Sequence, residues 1–404
     1  MNSSLYFSVP GVICGAGLDS AALWNSCIAG NQNGIKRVTS ISDKEFFACK
    51  IDDAVLTSVR DAKYDMRIIR ILNKALEQIE PVVEKVKNKF GADRIAVCLG
   101  SCDNGSEFSL AAHRVFFETG NFPCDYELDV QGASYPAEFI KEKCGLKGPA
   151  YVFSTACSSS SSAIIKAKDL LLAGIADAVI AGGVDVASDT VLLGFDSLEA
   201  VSDEIANPFS KNRKGITLGE GACLFVMSLD KELVSENGCN IKLLGTGESS
   251  DANHITAPLE DGSGAAQAVK EALENSALCP EKIDYLNLHG TGTHLNDSME
   301  AKAVKNVFGE YCSVLPVSST KSLTGHTLGA SGAIELAVCY MALVHSDSRK
   351  LPVNVFDGAF DESLPRLNFV TKDFAAKKEI NTAMSNSFGF GGCNISLIIG
   401  KENG

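Results

Sequence analysis

Three short clusters in this 404-residue chain carry side chains able to do chemistry. The first, Ser154-Thr155-Ala156-Cys157-Ser158-Ser159-Ser160, lies between the strand-like run Ala150 to Phe153 and the helix-like stretch Ala163 to Leu172. A thiol at a helix N-terminus meets the positive end of the helix dipole and nearby backbone N–H donors. The spacing therefore predicts a lowered pKa and a nucleophilic thiolate at Cys157. Small neighbours leave space around its sulfur, whereas Cys98, Cys223 and Cys339 sit inside apolar runs as small core residues do. The second cluster is Leu288-His289-Gly290-Thr291-Gly292-Thr293, at the end of a strand-like run. Its glycines let a ligand approach the backbone, and its threonines can hydrogen-bond a polar linker. The third runs from Lys321 to Gly332 through His326, from a strand-like run through a loop into a helix opened by small residues.

One thiol and two strand-end histidines from distant parts of the chain point to acyl transfer, which needs a nucleophile and donors for an oxyanion. Metal chemistry explains less: the six histidines show no HExxH, and no Cys or His pair has zinc-finger spacing. Ser318-x-x-Lys321 matches a β-lactamase motif formally, but its SDN and KTG companions are absent. GxSxG is missing as well, which weighs against an α/β-hydrolase.

The elements that must position these clusters alternate along the chain. Apolar runs at Arg94 to Leu99, Ala178 to Val184, Ala222 to Met227, Tyr285 to Leu288 and Ile395 to Ile399 are short, as buried strands are. Helical patterns at Asp65 to Val86, Ser160 to Ala173, Gly264 to Ser276, Asn296 to Phe308 and Gly329 to Val344 lie between them. This is an α/β pattern. The polar stretch Asp230 to Asn240 is the best boundary, dividing the chain into residues 1–235, with Cys157, and 236–404, with both histidines. A composition of 45% hydrophobic and 21% charged residues excludes disorder. The net charge of −14 argues against a general nucleic-acid binder. No stretch approaches the roughly 18 uninterrupted apolar residues of a membrane span. No Lys or Arg precedes Lys36, so the opening reads as a first strand and helix rather than a secretory signal. Fourteen scattered cysteines without a CxxC pair suit a reduced, cytoplasmic protein.

With these clusters the chain resembles the β-ketoacyl-acyl-carrier-protein synthases of the condensing-enzyme family, elongating I/II type. The resemblance runs from Gly11-Val-Ile-Cys-Gly-Ala-Gly17 through Asn207-Pro-Phe209, Gly215-Ile-Thr-Leu-Gly-Glu-Gly221 and Ser250-Asp-Ala-Asn-His-Ile-Thr-Ala-Pro258 to Asn386-Ser-Phe-Gly-Phe-Gly-Gly-Cys-Asn394. It implies a thiolase-like fold, two similar halves stacked as α-β-α-β-α layers in an obligate dimer. It also implies an acyltransferase that joins an acyl group on Cys157 to a malonyl unit on an acyl-carrier protein, releasing carbon dioxide. Fatty-acid synthesis and type II polyketide or aryl-polyene synthesis are both open. By this resemblance the N–H groups of Cys157 and Phe390 form the oxyanion hole, and Phe390 is a gate. His289 and His326 hold the enolate, while Lys321 and Glu335 fix the orientation of His326. Thr291 and Thr293 meet phosphopantetheine, which arrives on the carrier, so no metal or other cofactor is expected. Phe388 and Asp103 border the substrate, Asp103 standing where an apolar acyl-pocket residue is common. A homodimer and a heterodimer with a chain-length-factor homologue are alternatives. A non-catalytic partner subunit of that kind is the competing reading, which the intact Cys157 weighs against.

An acidic carrier needs a basic landing surface. Arg60, Lys63, Arg67 and Arg70, at roughly helical spacing, form one candidate, and Lys211, Arg213 and Lys214 a second.

Overall fold

The computed structural model describes every residue except 1–3, 104, 125, 236–239 and 403–404. The expected boundary after residue 235 abuts the undescribed 236–239. Twelve strands form one sheet: β1 (Leu5–Phe7), β2 (Gly11–Cys14), β3 (Ile95–Gly100), β4 (Ala150–Phe153), β5 (Ala178–Asp185), β6 (Gly221–Ser228), β7 (Ile241–Ser250), β8 (Tyr285–Asn287), β9 (Pro316–Ser318), β10 (Asn368–Phe369), β11 (Thr382–Phe388) and β12 (Cys393–Lys401). The order is β10-β9-β8-β11-β12-β7-β1-β6-β5-β3-β4, with β2 also on β6. In each half a parallel run (β4-β3-β5; β10-β9-β8-β11) is followed by antiparallel strands. Strand β1 joins the halves by pairing with β6 on one side and β7 on the other.

The helices that matter here are α1 (Arg67–Phe90), α2 (Tyr135–Cys144), α3 (Ser159–Leu172), α4 (Ser263–Ser276), α5 (His294–Phe308) and α6 (Ser331–Val344). Helices α1 and α2 cover the outer face of the first half, α4 the outer face of the second with α5 against it, and α3 and α6 lie between the halves. The layers thus run α-β-α-β-α, the thiolase-like arrangement. Every residue of β5 and β6 is buried, which is why these strands read as continuous apolar runs rather than alternating ones.

The middle layer explains the serine run. Ser158 to Ser162 are all buried at the start of α3, where larger side chains would not fit. A Cβ on Gly100 would lie 2.2 Å from the Ser160 nitrogen, and one on Gly332 would lie 2.1 Å from Ser161 Oγ. Parallel strands also deliver their carboxyl ends to one region, so the loops after β3, β4, β5, β8, β9 and β11 converge there.

Candidate active site

Cys157 follows β4 in a short 3-10 turn, Ala156–Ser158, that leads into α3, and it is buried. Ala156, immediately before it, has φ 53°. A left-handed alanine costs on the order of 1–3 kcal/mol, which the surrounding bonds must offset. Ser158 Oγ donates to the Thr155 carbonyl at 2.8 Å, Ser159 Oγ donates to the Ala156 carbonyl at 2.6 Å, and the Thr155 N–H donates to Ser159 Oγ at 3.0 Å. This turn aims the sulfur into a cavity also lined by His289, Thr291, Thr293, His326, Phe388 and Phe390.

His326 Nε2 lies 3.0 Å from Cys157 Sγ. Its Nδ1 accepts the Leu328 N–H at 3.3 Å, so the imidazole proton sits on Nε2 and faces the sulfur. Lys321 performs the same service for His289: its ammonium lies 3.3 Å from His289 Nδ1 and donates to the His289 carbonyl at 2.5 Å. Both rings therefore turn an Nε2–H toward the cavity. Burial, and next the Lys321 charge, hold both histidines well below the ordinary imidazole range, so they stay neutral donors. Cys157 Sγ and one nitrogen from each ring lie within 4.8 Å of one another, the one such cluster with metal-ligand spacing among the described residues.

Several expectations require correction. Burial pushes the Cys157 thiol up to about 11, although the Lys321 charge and the Phe390 backbone N–H pull it back. Desolvation outweighs the Lys321 charge and the Phe390 N–H, so the shift runs opposite to the lowering expected from the sequence. Lys321 and Glu335 form a buried ion pair beside His289, not His326, because the turn after β9 directs Lys321 toward the end of β8. Asp103 is 7% exposed and does not line the Cys157 cavity. It accepts from Tyr135 Oη and the Gly105 N–H, both at 2.7 Å, and from Ser106 Oγ, which holds it beside the start of the helix Ser106–Thr119. Its neighbour Cys102 instead meets the Cys157 turn, 3.4 Å from the Ala156 carbonyl.

The charged surfaces also differ from expectation. Helix α1 starts only at Arg67, so Arg60 and Lys63 lie off it, Lys63 over the Tyr64 ring at 4.8 Å. Arg67 is paired with the buried Glu220 and with Asp53, and Arg70 with Asp65 at 2.7 Å. Arg213 is 3% exposed and bonded to Asp361 at 2.6 Å. Arg213 and Arg67 are thus held by carboxylates inside the fold, whereas Arg70 stays partly exposed in its pair with Asp65. Arg60 and Lys211 remain exposed, and Lys214 stands at the cavity lining, paired with Glu204 at 2.8 Å.

Two buried carboxylates escaped the sequence reading. Glu300 on α5 accepts the His289 and Gly290 N–H groups at 2.8 and 2.7 Å and fixes that turn; burial pushes its carboxyl up to about 7. Asp185, at the end of β5, accepts from the loops around Cys157 and His326. Glu300 lies within the helical pattern Asn296 to Phe308 and Asp185 directly after the apolar run Ala178 to Val184, and nothing in their spacing separates them from surface acids.

The remaining pieces fall in place at the chain's end. Phe388 packs its ring 5.9 Å from that of His289. Gly389 passes so close to the Cys157 turn that a Cβ there would lie 2.8 Å from the Thr155 carbonyl. Phe390 stacks on Phe195 at 5.9 Å while its N–H points at the sulfur. Thr291 and Thr293 share a hydroxyl contact of 3.0 Å, and Thr293 caps α5. The arrangement offers a thiol and two neutral N–H donors for a carbonyl oxygen, with a backbone donor beside the sulfur.

Family comparisons agree with this chemistry. The family described as Beta-ketoacyl synthase, N-terminal domain, matches residues 21–232, and Beta-ketoacyl synthase, C-terminal domain, matches residues 241–351. The chain is 32% identical to 3-oxoacyl-[acyl-carrier-protein] synthase 2 of Staphylococcus aureus strain COL, across 99% of each protein. It is 31% identical to the enzyme of the same name from Coxiella burnetii, across 97% of each. Among solved structures, a chain of the Xenorhabdus doucetiae complex of a ketosynthase with its chain length factor superposes with a TM-score of 0.88 at 36% identity, covering 99% of this chain and 98% of that one. This chain belongs to the β-ketoacyl synthase family of condensing enzymes.

Proposed function

We propose that the protein carries out a decarboxylative Claisen condensation with Cys157 as nucleophile and His289 and His326 as the enolate's donors. The single observation that carries the reading is the pair of imidazoles held neutral with Nε2–H toward one sulfur. In the first half-reaction the Cys157 sulfur attacks the thioester carbon of an acyl-carrier protein. The oxyanion rests on the N–H groups of Phe390 and Cys157, and the leaving phosphopantetheine thiolate takes the proton that Cys157 gives up. In the second, malonyl-carrier loses carbon dioxide. The electrons of the breaking C–C bond become an enolate whose oxygen lies on the two Nε2–H groups, and its carbon attacks the acyl-cysteine. Collapse releases 3-oxoacyl-carrier and the Cys157 thiolate, which takes one proton from solvent. Decarboxylation supplies the drive, so the chemistry calls for no metal or redox group.

Lys321, paired with Glu335, orients His289 in this reading, and Thr291, Thr293 and Phe388 flank the phosphopantetheine arm. The carrier protein as substrate follows from the named relatives, and a heterodimer with a chain-length-factor homologue from the Xenorhabdus complex. Lys211, Lys214 and Arg60 are the exposed cations left to meet an acidic carrier. A homodimer in fatty-acid elongation stays the alternative assembly, whereas a non-catalytic partner subunit would have no use for the assembled Cys157, His289 and His326. Cysteines used as core residues in β3, β6 and α6 fit the reducing cytoplasm. No helix among the described residues is long and apolar enough to cross a membrane. The test is carbon dioxide release from malonyl-carrier with and without an acyl-carrier primer. The reading expects 3-oxoacyl-carrier formation with the primer, and none in Cys157→Ala.

A further inference from the structure

Asp185 is the last residue of β5 and is 1% exposed, and among the described residues no Lys or Arg forms an ion pair with its carboxylate. Four donors converge on it instead. Ser101 Oγ donates at 3.2 Å, the Cys102 and Asp103 N–H groups donate at 3.0 and 3.1 Å, and the Gly329 N–H donates at 2.6 Å. The first three belong to the loop after β3, whose Cys102 abuts the carbonyl of Ala156 before the nucleophile. Gly329 belongs to the loop that follows His326. One buried carboxylate thus joins the cysteine side of the cavity to the histidine side.

The contact to Gly329 has no slack. A Cβ on Gly329 would lie 2.6 Å from Asp185 Oδ2 and 3.0 Å from the Ser101 Cα, so only glycine lets the loop approach. The residue before it, Leu328, has φ 52°, a strained conformation for a side-chain-bearing residue. It is the Leu328 N–H that occupies His326 Nδ1 and keeps the imidazole proton on Nε2. The strained residue lies between two anchors, His326 Nδ1 behind and Asp185 ahead.

We propose that Asp185 is a positioning residue which, through Gly329 and Leu328, holds His326 in the tautomer that donates from Nε2. This deepens the condensing reading above and rests on it for its kinetic consequence, though not for its structural one. Asp185 touches no reacting atom. Burial of the carboxylate, which pushes it up to about 7, is tolerated because its acceptor capacity is filled by these donors. An amide in its place keeps one acceptor oxygen and brings a donor NH₂ against the backbone N–H groups. The Leu328–Gly329 turn then relaxes, its N–H leaves Nδ1, and the ring becomes free to carry its proton there.

The experiment compares full-length wild type and Asp185→Asn in the enzyme's native oligomeric form. Histidine-selective ¹⁵N labelling, with the His326 signal assigned by its loss in His326→Gln, reads the tautomer. Single-turnover acylation of Cys157 and decarboxylation of malonyl-carrier are timed separately. The proposal expects His326 purely Nε2-protonated in wild type and a mixture in the variant. It also expects decarboxylation to fall by roughly the 10²–10³-fold that loss of a preorganised donor costs, with acylation far less affected. An unchanged His326 tautomer in folded Asp185→Asn overturns it, as does an equal loss in both half-reactions. Should Asp185→Asn not fold, Gly329→Ala breaks the same contact from the other side and is read by the same two criteria. If the wild type shows no condensation at all, the condensing reading fails while the ¹⁵N result still decides the role of Asp185.

Discussion

His326 Nε2 stands 3.0 Å from Cys157 Sγ, with Nδ1 of the same ring already filled by the Leu328 N–H. The histidine therefore donates to the sulfur and has no free lone pair with which to remove its proton. Together with the buried thiol, raised to about 11, this describes an enzyme whose nucleophile is not a standing thiolate.

Alkylation of Cys157 by a small uncharged reagent should accordingly accelerate with pH by about tenfold per unit between pH 7 and 10, since only the thiolate reacts. The pKa is raised, so the reactive form is scarce at neutral pH and grows until the pH passes about 11. Peptide mapping after timed iodoacetamide pulses measures it. A plateau near pH 7 would mean that a neighbouring charge overcomes desolvation and that the resting site holds a thiolate.

Replacing His289 or His326 by alanine should suppress malonyl decarboxylation by roughly 10²–10³-fold each, the cost of one preorganised donor. Acylation of Cys157 should suffer less, because its oxyanion is assigned to backbone N–H groups. Rapid-quench measurement of the two half-reactions separates these effects, and a histidine variant that decarboxylates at the wild-type rate contradicts the role given to that residue.

The sequence made the scaffold legible where pattern and packing agree. The apolar run Ala178 to Val184 became β5, and the small residues around Cys157 became the crowded start of α3. Cys157, His289 and His326 stand out because each lies in a loop of glycines and small residues, which the fold uses for close approach around the site. The failures share another cause. Charge on paper carries no burial, so Arg67 and Arg213 looked like a landing surface although Glu220 and Asp361 neutralise them inside the fold. For the same reason nothing in the sequence marks Glu300 and Asp185 as buried. Asp103 was placed against substrate by its position in a motif, but its neighbours Tyr135 and Ser106, distant or unremarkable in sequence, claim the carboxylate.

Arg67→Glu should therefore act on stability rather than on carrier recognition. It sets a carboxylate against the buried Glu220 and removes that group's partner, and breaking a buried pair costs about 3–5 kcal/mol. Thermal unfolding should show a Tm several degrees lower, whereas Arg60→Glu leaves Tm unchanged within a degree or so. A normal Tm for Arg67→Glu with a raised KM for carrier-bound substrate alone would restore Arg67 to the docking surface.

The Lys321–Glu335 pair beside His289 gives a further expectation. Lys321 is 1% exposed, and Lys321→Ala strands both Glu335 and His289 Nδ1, so it should lower Tm and decarboxylation together. Glu335→Gln keeps a hydrogen-bond acceptor for the ammonium and should cost less in both. Kinetics alongside differential scanning calorimetry checks the order, and a Glu335→Gln variant more damaged than Lys321→Ala would refute this placement of the lysine.

The account's central claim is that Cys157 carries the acyl group and surrenders it to a decarboxylated malonyl unit. Intact-protein mass spectrometry tests it directly. After incubation with acyl-carrier protein the chain should gain the mass of one acyl group, mapped to the peptide holding Cys157. Addition of malonyl-carrier should erase that gain as 3-oxoacyl-carrier appears, and Cys157→Ala should never acquire it. An acyl group found on another residue, or one on Cys157 that malonyl-carrier leaves in place, would contradict the account.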